Sequence, residues 1–200
     1  MTSILEVEQL DTLSSNASST LTIGGDNTST IAFKSGATFS NITQGITGAD
    51  MWRINSNQSL SAGVETAVTA NWEQVDTDSF TPIGSSMTQS SGIFTFPTTG
   101  IWQITYYAQF NGPSQGATYA GGPIFISTDN FSSEDRATEV YSSMYHPNSW
   151  CETVSTHIFD VTNTSTHKCK FYAVCEFACT LWGSTDKTRT GVTFIRLGDT

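Results

Sequence analysis

The sequence predicts an all-β protein, in which a jelly-roll β-sandwich over residues 51–200 follows an extended β-rich arm over residues 1–50. Three observations support this prediction. After residue 50, short segments alternate between apolar and polar side chains and are separated by turn residues. No segment combines a helical apolar period with capping residues. Before residue 51, the chain is rich in Thr, Ser, Asn and Gly and contains few aromatic residues.

The composition of the chain narrows the classes of partner. Only 13% of the residues are charged, and 8 basic against 18 acidic residues give a net charge of −10. Nucleic-acid binding requires a basic surface, whereas Lys34 and Arg53 are the only basic residues before Arg136. The sequence therefore argues against nucleic acids and anionic membranes, and leaves neutral or cationic partners open.

The first residues lack the positive and apolar regions of a secretory signal, and no stretch approaches the ~18 apolar residues of a membrane span. We therefore expect a soluble protein without membrane insertion, which is made and assembled in the cytoplasm of a host cell.

The arm contains a weak repeat. Residues 19–25 (STLTIGG) recur ten positions later at 29–36, and a looser copy follows at 37–45. One short strand cannot bury its apolar face alone, so these copies are expected to stack as a solenoid, to wind with partner chains into a trimeric stalk, or to dock on another protein. Composition alone also allows a flexible linker, but the alternation favours strands. The residues predicted to make the arm's contacts are Leu5, Val7, Leu21, Ile23, Ile31 and Phe33.

The clearest signal of the sandwich is the run 90–110. Phe94 and Phe96 share one face of a first strand, and the turn from Pro97 to Gly100 leads into a second strand. Pro97 presets the backbone of the turn, and Gly100 permits a positive φ. The second strand presents one continuous apolar face, made of Trp102, Ile104, Tyr106, Ala108 and Phe110.

Further strands are predicted along the rest of the chain. They cover 62–72, 92–97, 101–110, 123–128, 151–161, 167–180 and 189–198, with weaker candidates at 51–55, 74–80 and 137–142. Glycine- and proline-bearing turns separate them, and many short strands at this spacing indicate a sandwich or jelly roll.

The run 92–104 resembles the signature of C1q/TNF-like jelly-roll domains, which reads Gly-x-Phe-x-x-Pro-x-x-Gly-x-aromatic-x-aliphatic. The signature positions are filled by Gly92, Phe94, Pro97, Gly100, Trp102 and Ile104. The family usually has Tyr where this chain has Trp102. Residues 70–72 resemble its early strand, and 190–197, with Phe194, its closing strand, so the resemblance covers about residues 51–200.

C1q/TNF-like domains form compact trimers with aromatic and aliphatic residues along the threefold contact. The resemblance therefore implies a homotrimer in which the signature residues and Phe194 lie in the core or at that contact. It also implies that calcium, which occurs in some C1q-like domains, could meet the carboxylates of Asp76 and Asp78. The glycine and distal Glu of an EF-hand loop are missing here.

The N-terminal segment 4–13, followed by Ser/Thr/Gly-rich strands, resembles the N-termini of small tail-fibre and virion proteins of marine and cyanobacterial phages. Together the two resemblances imply a trimeric phage virion protein, with an arm docked on the tail or capsid and a head that meets host glycan or protein. One alternative is a capsid decoration protein that stabilises the shell and has no receptor. A glycan-hydrolysing tailspike and a secreted C1q-like protein are less favoured.

The predicted receptor contacts are aromatic residues in the loop 137–150 and in one later turn. They are Tyr141, Tyr145, His146, Trp150 and Trp182. Rigid amphipathic rings beside amides suit glycans and protein surfaces. The same rings would also suit simple packing at the edge of a sandwich, and the sequence leaves both interpretations open.

No catalytic motif stands out. The chain has no H-E-x-x-H, P-loop or G-x-G-x-x-G, and acidic residues are scarce after residue 78. We therefore predict no enzyme and no cofactor. Cys169, Cys175 and Cys179 share one parity, and together with Cys151 they lack the paired spacing of a zinc knuckle. The sequence predicts buried cysteines and no metal site.

Overall fold

The structure is a computed structural model that describes residues 45–112 and 115–200. The residues predicted to make the arm's contacts lie outside this range. They are Leu5, Val7, Leu21, Ile23, Ile31 and Phe33.

The described residues form strands joined by turns and loops, without a helix. The strands are β1 (Gly48–Ile54), β2 (Gln58–Leu60), β3 (Thr66–Ala67), β4 (Trp72–Gln74), β5 (Thr88–Ser90), β6 (Ile93–Thr95), β7 (Gly100–Asn111), β8 (Ala117–Gly121), β9 (Ile124–Ser127), β10 (Asp135–Thr138), β11 (Tyr141–Met144), β12 (Trp150–Val161), β13 (Lys168–Cys175), β14 (Cys179–Leu181) and β15 (Gly191–Gly198).

Two antiparallel sheets face each other. The seven-stranded sheet has the order β2-β14-β7-β15-β1-β4, and β12 pairs with β7 along its other edge. The eight-stranded sheet has the order β10-β9-β13-β6-β5, with β8 and β3 also paired to β13 and β11 paired to β8. The longest ladder joins β7 and β12 over twelve residues, from Gly100 opposite Val161 to Asn111 opposite Trp150. The predicted all-β jelly-roll sandwich is therefore confirmed.

The core lies where the inner faces of the two sheets meet. Along β7, buried and half-buried residues alternate without interruption, as the sequence predicts. Phe94 lies at its centre, with the rings of Trp72 and Phe171 at 5.1 and 5.4 Å between centroids. The predicted signature residues Phe94, Trp102, Ile104 and Phe194 are all fully buried.

Close contacts explain why the signature requires its two glycines, and a hydrogen bond explains the role of its tryptophan. A Cβ on Gly92, at φ +79°, would lie 2.2 Å from the Val68 carbonyl oxygen. A Cβ on Gly100, at φ +141°, would lie 2.5 Å from the side chain of Arg196. The Trp102 indole N–H donates to the Thr98 carbonyl at 3.2 Å, so the tryptophan ties its own strand to the turn that precedes it.

Two segments that were predicted as continuous strands are each divided into two strands in the structure. The segment 62–72 is divided into β3 and the start of β4, with Asn71 at φ +64° between them. The segment 167–180 is divided into β13 and β14, which belong to different sheets. Cys175 and Cys179 are both buried, but they lie on strands of opposite sheets rather than on one face.

Strand β1 carries two charged residues that are only 1% exposed, Asp50 and Arg53. The Asp50 carboxylate accepts hydrogen bonds from the Met51 and Met87 amides and from the side chains of Trp52 and Gln74, at 2.8–2.9 Å. A buried charge is tolerated only when it is paired or fully hydrogen-bonded, as here.

The Arg53 guanidinium donates to the carboxylates of Glu73 and Asp76, each at 2.7 Å, and to the Thr77 hydroxyl. Asp76, considered above as a calcium ligand, therefore neutralises this buried arginine.

The sandwich has two distinct ends. Gly48 of β1 lies opposite Arg196 of β15, and Gly198 lies opposite Ile101 of β7, so the polypeptide enters at the end where β7 begins. We call this the entry end. The far end carries Asn111, Trp150 and Trp182. Strand β7 spans twelve residues, so the two ends are about 36 Å apart.

None of the described residues belongs to a helix long and apolar enough to cross a membrane.

Candidate interaction surfaces

In residues 45–112 and 115–200, the outer face of the seven-stranded sheet has a central area without charged side chains. We call it the charge-free face, and it consists of the outward residues Gln103, Thr105, Tyr107, Val154, Thr156, Ile158, Thr193 and Ile195. They form cross-strand rows, for example Ile158 with Gln103 and Ile195. Val154 and Ile158 are 53% and 58% exposed, which is unusual for branched apolar side chains on a regular strand.

The polar groups of this face bond to one another. The Thr105 and Thr156 hydroxyls lie 3.4 Å apart, and the Gln103 amide donates to Thr105 at 3.3 Å. Tyr107 and Thr193 share a hydrogen bond across β7 and β15. Because these groups already have partners, the face can be covered by another surface at little cost in lost hydrogen bonds to water.

A stacked tryptophan pair lies at the far end of the same sheet. The rings of Trp150 and Trp182 are 3.3 Å apart between centroids, and the guanidinium carbon of Arg189 is 3.6 Å from the Trp182 centroid. Two groups this close to one ring centre must lie on opposite ring faces. Trp182 is therefore enclosed by the protein itself, whereas Trp150 remains 45% exposed.

The turn between β11 and β12 presents two further predicted contacts. Tyr145 is 77% exposed, and His146 follows it in a turn closed by a 2.7 Å hydrogen bond from the Ser149 hydroxyl to the His146 carbonyl. Neither side chain has a hydrogen-bond partner recorded in the described part of the chain. Both rings are thus available at the surface.

Tyr141, the last predicted contact, lies in the eight-stranded sheet, away from the tryptophan pair. It belongs to a group that we call the Tyr141 pocket, a cavity of about 460 Å³ lined by Gly63, Glu65, Tyr119, Arg136, Tyr141 and Val174. The five predicted residues therefore do not form one site. Sequence inspection missed Glu65, Tyr119 and Arg136, because 71 positions separate Glu65 from Arg136 and no local pattern links them.

The side chains of the pocket are held firmly. Arg136 donates to Glu65 at 2.5 Å and to Glu139 at 2.7 Å, and Tyr141 donates its hydroxyl proton to Glu139. The rings of Tyr119 and Tyr141 meet edge to face at 5.8 Å. The bond from Tyr141, with the charge of Arg136 beside it, lowers the pKa of the Glu139 carboxyl, and the same bond raises the pKa of Tyr141.

Beside the pocket, the outer face of the eight-stranded sheet alternates cations with aromatic rings. The ammonium of Lys170 lies 4.5 Å from the Phe131 centroid and 5.2 Å from that of Tyr172, and it pairs with Glu134. Arg136 lies 5.3 Å from the centroid of Phe125. We call this surface the cation–aromatic face. In the part of the chain that the structure describes, no group of three or more His, Cys, Asp or Glu is arranged to hold a metal ion.

Comparison with known proteins gives matches to structures only. No family model and no curated protein matches the chain. The crystal structure of murine APRIL at pH 5.0 matches with a TM-score of 0.55 and 13% identity, over 75% of this chain and 98% of that one. Eiger TNF from S. frugiperda matches with 0.53 and 10%, over 76% and 93%.

The vertex protein P5 of phage PRD1 matches with a TM-score of 0.51 and 15% identity, over 78% of this chain and 100% of that one. At such identities the similarity shows the fold alone. The C1q/TNF-like jelly roll predicted from the run 92–104 is thereby confirmed.

Proposed function

We propose that this chain is a homotrimeric structural protein of a phage virion. Its arm attaches to the tail or capsid, and its jelly-roll head faces outward and contacts the surface of the host. The observation that carries the proposal is the charge-free face, which we assign to the contact between three copies of the head.

The charge distribution supports this assignment. The chain carries a net charge of −10, yet none of the charged side chains that the structure describes lies in the centre of this face. Copies that meet there avoid the repulsion between like charges that any acidic surface would bring. Permanent interfaces are apolar, and exposed Val154 and Ile158 together with Tyr107 give this face that character. The C1q/TNF-like resemblance implies the same trimeric assembly.

The arrangement of the ends supports the proposed orientation. The polypeptide enters the head at one end, and Trp150 and Tyr145 lie toward the other, about 36 Å away along β7. We therefore propose that the far end faces outward. The proposed arm contacts, from Leu5 to Phe33, stay a prediction of the sequence.

The similarity to a vertex protein favours a second candidate function. That protein has the same fold, and 100% of its matched chain is covered. A capsid decoration protein that stabilises the shell, without any receptor, is the corresponding candidate for this chain. The two candidates share the trimeric head and differ in what the outward surfaces contact.

We propose that neither role includes catalysis. Glycosidases need a carboxylic acid whose pKa is raised, so that it holds a proton near neutral pH. In the Tyr141 pocket, the pKa of Glu139 is shifted downward instead, by the bond from Tyr141 and by the charge of Arg136. Glu65, the other carboxylate beside this pocket, is paired with Arg136 as well.

Light scattering on the full chain and on a fragment of residues 45–200 tests the assembly. Trimers of both are expected, because the charge-free face belongs to the head. Monomers of both would contradict the proposal, and a trimer of the full chain alone would assign assembly to the arm.

Particles grown without the protein separate the two candidates. A receptor-binding head predicts intact particles that adsorb poorly to host cells, whereas a decoration protein predicts normal adsorption and shells that open at lower temperature.

A further inference from the structure

The Tyr141 pocket lies apart from the charge-free face, so three copies of the pocket stay accessible when the heads assemble as proposed. The pocket combines an exposed aromatic ring with donors and acceptors that are already fixed in position. Ligand sites have this composition, an aromatic wall with a few oriented polar groups.

The ring of Tyr141 is held at a defined height above the sheet. Tyr141 lies directly opposite Gly121 in the β8–β11 ladder, and a Cβ on Gly121 would lie only 2.5 Å from the ring atom Cε1 of Tyr141. The ring therefore lies against the glycine backbone, where any larger residue would displace it. Its hydroxyl is fixed by Glu139 and its ring packs at a right angle to that of Tyr119, while 46% of the residue remains exposed.

The charges at the rim restrict the ligand. Arg136 stands between two carboxylates, Glu65 and Glu139, so the group carries a formal charge of −1 from one cation and two anions. An anionic ligand would meet these carboxylates and a head that is acidic overall. Sugar hydroxyls both donate and accept hydrogen bonds, and carboxylate oxygens and guanidinium N–H groups match them.

We propose that the Tyr141 pocket binds an uncharged saccharide ring of a surface glycan, with the C–H face of the sugar stacked on Tyr141 and its hydroxyls bonded to Glu65, Arg136 and Glu139. The negative face of an aromatic ring attracts such polarised C–H groups. The proposal rests on the host-contact role and specifies its ligand class. Three pockets on one trimer would raise the avidity for a repetitive glycan by roughly 10²-fold or more over a single site.

Saturation-transfer NMR on the full-chain protein tests the proposal. The probes are methyl glycosides of glucose, mannose, galactose and N-acetylglucosamine, with sodium glucuronate as the charged comparison. We expect transfer to the ring protons of at least one neutral glycoside and none to glucuronate. Tyr141→Ala should weaken binding by about tenfold, since it removes the stacking surface.

Two variants make the test specific. Gly121→Ala leaves the residues proposed to contact the ligand unchanged but displaces the Tyr141 ring, and it should weaken binding as well. Ile83→Ala removes an apolar side chain of similar exposure outside the pocket, 47% against 46%, and should leave binding unchanged. Unfolding midpoints and solution masses confirm that each variant is folded and assembled.

Several results would overturn the proposal: no transfer to any neutral glycoside, equal binding of glucuronate, or equal loss in Ile83→Ala and Tyr141→Ala. A trimer that adsorbs to host cells yet binds no glycoside would refute the saccharide site and leave the proposed function intact. A monomer that binds through Tyr141 would do the reverse.

Discussion

The two outer faces of this sandwich differ in the side chains that they expose to water. On the cation–aromatic face, Lys170 and Arg136 lie beside rings, and each is paired with a glutamate. On the charge-free face, Val154 and Ile158 stand exposed among hydroxyl groups that bond to one another. The charges of the first face already have partners in the folded protein, whereas covering the second face is favourable because it buries apolar side chains.

This difference shows that local satisfaction of polar groups is a useful guide to surface roles. A face whose charges are all paired has little to gain from a permanent partner. A face without charges, whose hydrogen bonds are already made, loses little when water leaves it and gains the burial of its apolar side chains. This contrast is the reason why we propose assembly through one sheet and a ligand site on the other.

The largest effect on assembly is expected when a single cation is placed in the charge-free face. Val154→Lys places a lysine from each copy in the proposed contact, and an unpaired buried charge costs about 3–5 kcal/mol. We expect the trimer to dissociate at micromolar concentration, as measured by light scattering. Val64→Lys is the matched control, since Val64 is 51% exposed and lies outside this face. A Val154→Lys protein that remains trimeric would place the contact elsewhere.

The next prediction concerns salt. If copies meet through a face without charges, the trimer should persist from about 0.05 M to about 1 M sodium chloride, although the Debye length falls to ~3 Å at the upper limit. Sedimentation velocity at both concentrations measures the trimer fraction. Dissociation at high salt would show that ion pairs, rather than apolar contact, hold the copies together.

A smaller effect is expected from the cation–aromatic face. Lys170→Met removes the ion pair with Glu134 and the contact with Phe131, and we expect a loss of about 1 kcal/mol in the free energy of unfolding, with the solution mass unchanged. Urea unfolding measures this loss. Lys187→Met, at an exposed position in the loop between β14 and β15, should change stability by less than about 0.5 kcal/mol. Equal losses in the two variants would remove the energetic role assigned to this face.

The smallest effect concerns the loop that carries Phe131 to this face. Asp129 accepts hydrogen bonds from the hydroxyl and amide of Ser133 and from the Ser127 hydroxyl, and these bonds lower its pKa to about 2. A lowered pKa stabilises the loop above the ordinary value of 3.8, and this contribution is lost as the pH falls through about 2.

The Ser133 amide should therefore keep its protection from hydrogen exchange at pH 3 and lose it only below about pH 2. Loss of protection already near pH 4 would contradict the bonds assigned to Asp129.

The parts of the fold that the sequence predicts are those in which one pattern dictates one answer. Strand β7 alternates strictly, and glycines at 92 and 100 are required by backbone contacts that no side chain could share. The boundary between β13 and β14 was missed because residues 176–178 contain neither glycine nor proline. The parity of the cysteines continues through this break, so a count along the chain cannot detect that the strand changes sheets.

The two candidate surfaces were harder to predict, for different physical reasons. In β12 the inward positions hold Thr153 and Ser155 and the outward positions Val154 and Ile158, so alternation does not reveal which side is the core. Ser155 is accommodated because its hydroxyl donates to the Gly122 carbonyl at 2.6 Å. The Tyr141 pocket, in turn, is assembled from segments that only the topology brings together.

The position of β1 has a mechanical consequence. The polypeptide enters the head directly through this strand, which is held by six consecutive residue pairs to β15 and by three to β4. A pull on residue 45 away from the entry end acts along the strand axis, so the hydrogen bonds on both edges carry the load together instead of opening one after another. Force applied through residue 45 would thus be resisted in shear, with the buried Asp50 and Arg53 as anchors within the loaded strand.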